Sequence, residues 1–572
     1  MRRCLCVCMF LGGFGCGDDG KADASAETGG PGETGETGET GSSGQVPTSG
    51  GAATGSSGEA SGEASSAGES GETGGEETGG TTGGGEFAVR LPQAIAGAMS
   101  ADPAIYPTLP VHVAASGADT VTVRLDDGSE IAASPGTGTW VAQVPVMGVA
   151  LGEHTITATA SGADGMLAAE ATLVLTDGGI QWTDINVDGN AGTPVLHRRA
   201  GEDLLWLTWA DGSEGPNRRG WLEPIDGAGR SAGERVALTP AEDDVPYARA
   251  AVGDSAIAVL YQLPGGGPYF NRLRVVDFEG GEVVAPIELE PQGGFGSFGG
   301  DVLYDGTAFV ATFRSNDGMG GGDLWWIRVE EATGTVTGPK IVASSQPNGG
   351  FDPFTVISIA AVDDQRSVIA FVREEFNNAL DLAVPKGQVV SVTADGTVDG
   401  PDFLMSGSDF QWHWEAKVEA AGDAVMLLWC TDDLNDPNTT IPTAIRAARV
   451  TPADAVGNDR GQGTVLVQAE ETRGEPAFVA TAEAPGILVW TDQRSYVDIQ
   501  TGRIEMMATR VTDEGLATDG EDVVGHARFV AGTAHFGGQG AGTNAVVVWI
   551  DERHGGSVVD PKPEVFLETI WR

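Results

Sequence analysis

Two stretches of this chain set a tryptophan, a carboxylate and a guanidinium at alternate positions: Trp490-Thr491-Asp492-Gln493-Arg494 and Trp549-Ile550-Asp551-Glu552-Arg553. Trp209-Ala210-Asp211 and Trp429-Cys430-Thr431-Asp432 are partial copies. An Asp just past a strand can accept backbone N–H bonds and tie the hairpin that follows. The neighbouring Arg can bridge to the next repeat. Repetition suits architecture better than a single reaction centre, so a structural role is expected. Chemistry is expected where the copies disagree: at Phe351 and Phe354, at Phe410, Trp412, His413 and Trp414, and at Asp432, Asp433 and Asp436. The longer segments that begin at Arg494 and Arg553 belong to the same set. Aromatic faces beside polar groups suit sugar or peptide binding. Trp412, His413, Trp414, Asp432, Asp433, Arg494 and Arg553 are therefore the candidate ligand-binding residues, with packing of Trp412 and Trp414 between repeats as the competing reading.

Other constellations are thinner. Asp184, Asn186 and Asp188 precede Gly189 at the spacing that opens a calcium loop, but Val195 stands where the bidentate Glu should be. No cofactor is expected; calcium at this loop is the one metal candidate. Adjacent acids such as Glu374 and Glu375 could do acid–base work, although solvated loop carboxylates commonly look the same. The histidines show no paired metal spacing, and there is no phosphate loop, Gly-x-Ser-x-Gly or His-Glu-x-x-His. A net charge of -50 repels nucleic acid, whose phosphates need clustered Lys and Arg. Cys430 is the only cysteine beyond Cys16, so no disulfide can form within the body, and a buried inert thiol is expected there.

The elements that must carry these residues follow from spacing. Trp209, Tyr261, Phe313, Phe371, Trp429, Trp490 and Trp549 each close an apolar run and lie about 52 to 61 residues apart, an interval typical of propeller blades. Each run predicts a middle strand, for example 204–209, 308–313 and 486–490. Third strands are predicted at 272–278, 323–329, 444–450, 504–511 and 564–571, with Gly-marked turns leading to outer strands after Gly334 and Gly396. The last repeat runs out after its third strand, while 180–187 is a spare strand ahead of the first repeat. Pairing the spare strand into the last blade would close a ring and remove an exposed edge. A seven-bladed β-propeller over 178–572 is the expectation, with six blades and a stray sheet as the alternative.

Upstream, 87–177 alternates apolar and polar residues, as in Thr120-Val121-Thr122-Val123-Arg124-Leu125. Strands are predicted at 87–93, 109–115, 119–126, 139–146, 153–160 and 167–176, enough for a β-sandwich. The segment Leu151-Gly152-Glu153-His154-Thr155-Ile156-Thr157 resembles a late strand of bacterial Ig-like modules, which implies spacing or adhesion. Residues 16–86 are almost all Gly, Ser, Thr, Ala and Glu and carry nothing that offsets the entropy of folding. A coil of that kind has an r.m.s. reach of roughly 45 Å. The start, 1–15, joins Arg2-Arg3 to a short apolar stretch and ends in Gly13-Phe14-Gly15 before Cys16. It resembles the lipobox of bacterial lipoproteins, with Gly13 and Phe14 departing from the usual pattern. That resemblance implies a lipidated Cys16, a membrane partner and a cell-envelope location, at the outer membrane or cell surface.

The Trp-x-Asp-x-Arg segments resemble the repeat of many secreted bacterial propellers. Sialidases also use propellers and arginine clusters, and Arg314, Arg373, Arg494 and Arg553 lie near equivalent positions. Their Ser-x-Asp-x-Gly-x-Thr-Trp box is missing; Ser134-Pro135-Gly136-Thr137-Gly138-Thr139-Trp140 lacks the Asp. The all-β chain is therefore expected to be a monomeric, membrane-anchored lipoprotein whose propeller binds a glycan or protein ligand. The alternatives are a polysaccharide hydrolase or lyase and a purely structural envelope component.

Overall fold

Alternating patterns of this kind dictate strands, and the computed structural model contains 37 of them and no helix among the described residues. It describes residues 87–572 apart from 137, 182–191, 200, 212–216, 265–268, 290–296, 316–320, 346–353, 378–381, 405–412, 432–442, 458–462, 469–472, 483–485, 493–503, 513–516, 518–521, 528–536, 552–563 and 572. The expectations for 1–86, including Cys16, concern residues outside those described.

Residues 87–177 form two sheets that face each other. One orders Ala88–Arg90, Thr108–Ser116, Trp140–Pro145 and Ser134–Pro135; the other orders Ala98–Ala101, Gly165–Leu175, Gly152–Gly162, Thr120–Leu125 and Ile131–Ala132. Between them Leu109, Val111, Val113, Val123, Val144, Ile156 and Leu173 are fully buried. Six strands match the alternation. Ala98–Ala101 was not anticipated, because its four residues are all buried and show no period; it pairs in parallel with Thr172 to Leu175.

Downstream lie seven four-stranded antiparallel sheets among the described residues. Their first strands are Gly192–His197, Ala248–Val252, Ser297–Tyr304, Thr355–Ala361, His413–Ala421, Arg473–Ala480 and Gly537–Ala541. Each first strand touches the first strand of the next sheet, and Gly192–His197 also touches Gly537–Ala541. The first strands are thus the inner ones. Gln539 Nε2 donates to Leu196 O at 3.0 Å and Arg198 Nη1 to Gly540 O at 3.0 Å, joining the first sheet to the seventh. The seventh sheet takes its fourth strand from the opposite end of the repeats: Ile180 pairs with Leu567 and Gln181 with Phe566. This arrangement is β-propeller-like.

All seven repeated aromatics sit on second strands and are at most 1% exposed. Burying 150–250 Å² of aromatic surface at about 25 cal/mol per Å² contributes roughly 4–6 kcal/mol each. Trp549 stacks on Phe566 with centroids 5.8 Å apart, and Phe313 on Trp325 at 6.3 Å. Two of the tryptophans require a glycine ahead of their sheet's outer strand. Gly179 has φ +91 and a Cβ there would lie 2.8 Å from the Trp549 ring; Gly463, φ +63, meets Trp429 in the same way. Asp492 and Asp551 prove to be the last residues of their strands rather than the first of the turn, and Asp492 is fully buried opposite Glu505.

The 87–177 module does not stand apart from the repeats. Its core runs without interruption into Val489, Met506, Val547, Trp549, Phe566 and Trp571 of the last two sheets. Gln93 Nε2 reaches Thr543 Oγ1 at 3.2 Å and Asn544 Oδ1 at 3.1 Å, while Gln93 Oε1 accepts from His112 N at 2.9 Å. Trp571 Nε1 donates to Ser100 O at 2.7 Å, and Gly227 N donates to Ile95 O at 3.0 Å from the first sheet. Buried polar groups satisfied only across a junction hold it in one geometry. Replacing Trp571 by Ala is expected to cost about 3–5 kcal/mol. It should also split one cooperative urea transition into two; a single unshifted transition would refute this coupling.

Candidate functional site

The sequence-derived candidates divide sharply. Trp412, Asp432, Asp433, Arg494, Arg553, Asp184, Asn186 and Asp188 lie outside the described residues. Trp414 lies within the strand His413–Ala421. His413 is fully buried, and its Nδ1 accepts from Gly387 N at 2.9 Å. Burial, then the nearby charges of Lys386 and Arg446, push it down to about 3, so it is neutral. A ligand arriving from solvent meets no His413 surface; its place is in the packing. Arg314 and Arg373 tie neighbouring sheets: Arg314 Nη1 donates to Phe354 O, and Arg373 Nη1 to Ser344 O at 3.2 Å. Cys430 is a buried free thiol, as expected. Among the described residues no group of three or more His, Cys, Asp or Glu could hold a metal.

A different cluster emerges from strand register. On each inner strand, one residue pairs with the position just before the repeated aromatic. Around the seven sheets that residue is Val195, Arg249, Asp301, Ser358, Lys417, Ala477 and Gly537. Side chains two apart on a strand share a side, so two residues further along comes a second level. It includes His197, opposite Trp206, and Glu419, opposite Met426. The first level is polar from the second sheet to the fifth and small or apolar over the rest.

These side chains reach toward the next inner strand. Asp301 Oδ2 accepts from Ile359 N at 3.2 Å and its Oδ1 from Val302 N at 3.0 Å; Ser358 Oγ donates to Val418 O at 3.0 Å. Tyr247 OH donates to Gly300 O, and Arg249 Nε donates to Tyr247 OH at 3.3 Å. Arg249 acts electrostatically on Asp301 and Glu419, and Lys417 on both acids, so groups from the second, third and fifth sheets lie near one another.

The charges there are poorly matched internally. Arg249 has only the contact to Tyr247 through Nε, and Lys417 and Glu419 have no hydrogen bond or ion pair among the described residues. All remain half-buried. Desolvation is the main influence on the two acids. It raises Asp301 against the opposing Arg249 charge, and it pushes Glu419 up to about 7, helped by Asp301 and opposed by Lys417 and Arg249. His197 is pushed down to about 4 by burial and then by Arg249, so it is neutral. Donors and acceptors that the fold itself leaves partly unused are what a polar ligand needs.

No family model matches the chain, and no curated protein matches it. Solved structures similar to it include a quinonprotein alcohol dehydrogenase-like protein from Bacteroides thetaiotaomicron, 10% identical over 77% of this chain and 97% of that one, with a TM-score of 0.34. An endo-arabinase from the same organism is 11% identical over 48% of this chain and 97% of its own, with a TM-score of 0.28. A polysaccharide lyase is 9% identical over 73% of this chain and 85% of that one, with a TM-score of 0.36. Likenesses this loose carry no function across, and the architecture rests on the strand pairing.

The axial acid has a thermodynamic signature. Glu419 titrates in the folded chain well above the 4.5 of a free glutamate. Between those values the folded chain keeps a proton that the unfolded chain has lost, so stability falls as pH rises from about 4.5 to about 7. Glu419→Gln removes that fall. Urea midpoints should favour the variant over the wild type more at pH 8 than at pH 5; an equal difference at both would sink the assignment.

Proposed function

We propose that this chain is a lipoprotein of the cell envelope, exposed at the outer membrane or cell surface, whose head binds a glycan. In this reading Cys16 carries the lipid and 17–86 tether the head. Residues 87–177 are an Ig-like module, and 178–572 are a seven-bladed propeller closed by the pairing of Ile180 and Gln181. The observation that carries the binding role is the axial cluster: Arg249 from the second sheet and Lys417 and Glu419 from the fifth act on Asp301, and the last two have no hydrogen bond or ion pair among the described residues. Hydroxyl-rich ligands use such alternating donors and acceptors, and polar groups left unmatched inside a protein favour whatever completes them. The loop residues around Trp412 and Asp432 would form the approach.

The second reading, hydrolysis of a bound glycan, draws on one feature. Glu419 holds a proton near neutrality close to a second carboxylate, as a general acid beside a base would. A glycan and peptide screen of the full chain should return glycan binders that Arg249→Ala and Lys417→Ala weaken at least tenfold. Binders indifferent to both variants would move the site elsewhere. Product release from a bound glycan, lost in Glu419→Gln, would establish the hydrolase. Labelled palmitate should enter the wild-type chain and not Cys16→Ala; equal labelling would defeat the anchor.

A further inference from the structure

The axial cluster has a bias that a neutral sugar would not use. At the level of Asp301 the free groups are the terminal guanidinium nitrogens of Arg249 and the ammonium of Lys417. Both Asp301 oxygens already accept backbone N–H groups. Glu419, two residues beyond Lys417, keeps its proton up to near neutrality and so offers an O–H. His197 contributes no charge. The axial space therefore carries an excess of donors and of positive charge inside a chain whose net charge is -50. The net negative charge of the chain repels anions in general, so attraction must come from this cluster, which a planar carboxylate on a hydroxylated ligand matches. Arginine meets a carboxylate with two parallel N–H bonds, and a compact ammonium completes the coordination.

We infer that the axial site selects a carboxylate-bearing sugar, a uronic acid residue, whose carboxylate sits between Arg249 and Lys417 and whose hydroxyls face Asp301 and Glu419. This rests on the reading of the axis as a glycan site and goes further by assigning the charge of the ligand. At the same level Val195, Ala477 and Gly537 add no charge.

The test is calorimetric titration of the full chain with a galacturonic acid trimer, the neutral galactose trimer and a sulfated galactose trimer. The uronic acid trimer is expected to bind at least tenfold more tightly than either of the others. Arg249→Gln and Lys417→Gln should each weaken it tenfold or more, down to the affinity of the neutral trimer. Arg249→Lys, which keeps the charge and loses the fork, should recover part of the loss; unchanged urea midpoints would exclude misfolding. Equal binding of neutral and acidic trimers, both lost in Arg249→Gln, would overturn the charge assignment and leave the axial glycan site standing. Equal binding of the sulfated trimer would overturn the carboxylate. Binding of none of the three would overturn the inference, and a blank on a broad glycan screen as well would overturn the axial site with it.

Discussion

The repeated burial of one aromatic side chain between neighbouring sheets sets the register of everything else. A four-stranded sheet with two apolar faces cannot stand alone in water, and each of these sheets buries its faces against two neighbours. Fixing Tyr261 opposite Ala248, Phe371 opposite Ile357 and Trp429 opposite Ala416 fixes the phase of the inner strands. Because side chains alternate, the residue after each of those partners is excluded from that packed face. It must go toward the axis. The placement of Arg249, Ser358 and Lys417 is thus a consequence of hydrophobic packing one strand away.

That logic also explains why so much of the fold was legible and so little of the site. The second strands announce themselves by an apolar run ending in a large ring, and Trp209 through Trp549 all lie where that signal put them. The spare strand before the first repeat was readable because an unpaired edge is costly, and Ile180 and Gln181 do pair with the last sheet. The axial residues have a quieter signature: a charge inside a short apolar strand, as in Ala248-Arg249-Ala250-Ala251 or Ala416-Lys417-Val418-Glu419. Aligning those charges from sequence alone fails because five of the inner strands carry register shifts near their starts, at 192/195, 298/301, 355/357, 413/415 and 474/477. Each shift changes the apparent spacing from charge to aromatic. The loop aromatics were conspicuous by type, and type alone says nothing about burial, as His413 shows.

The N-terminal sheets raise a different point about resemblance. A late strand can look like that of a spacer module and yet belong to an immobile support, since docking depends on a few residues elsewhere. Gln93, Ser100 and Ile95 lie in or beside a segment with no periodicity, 91–101, and those residues make the junction. The junction falls on the first and seventh sheets, whose first strands also touch each other. Gln93 bonded to Thr543 and Asn544, with Ile95 O bonded to Gly227, ties this segment to both sheets.

This support bears on the axis as well. A candidate site whose charges come from three different sheets keeps its geometry only if the sheets cannot shift against one another, because Arg249 and Lys417 are separated by two intervening inner strands. Preorganised charges cost little to reorient when a ligand arrives, whereas charges on a loosened ring would collapse onto one another and quench. Arg249 and Glu419 influence each other electrostatically without forming an ion pair, so the packing holds them apart. Rigidity in the sheets and unmatched charge at the centre are therefore two aspects of one constraint, which starts at the buried aromatics and ends in the space their register leaves open.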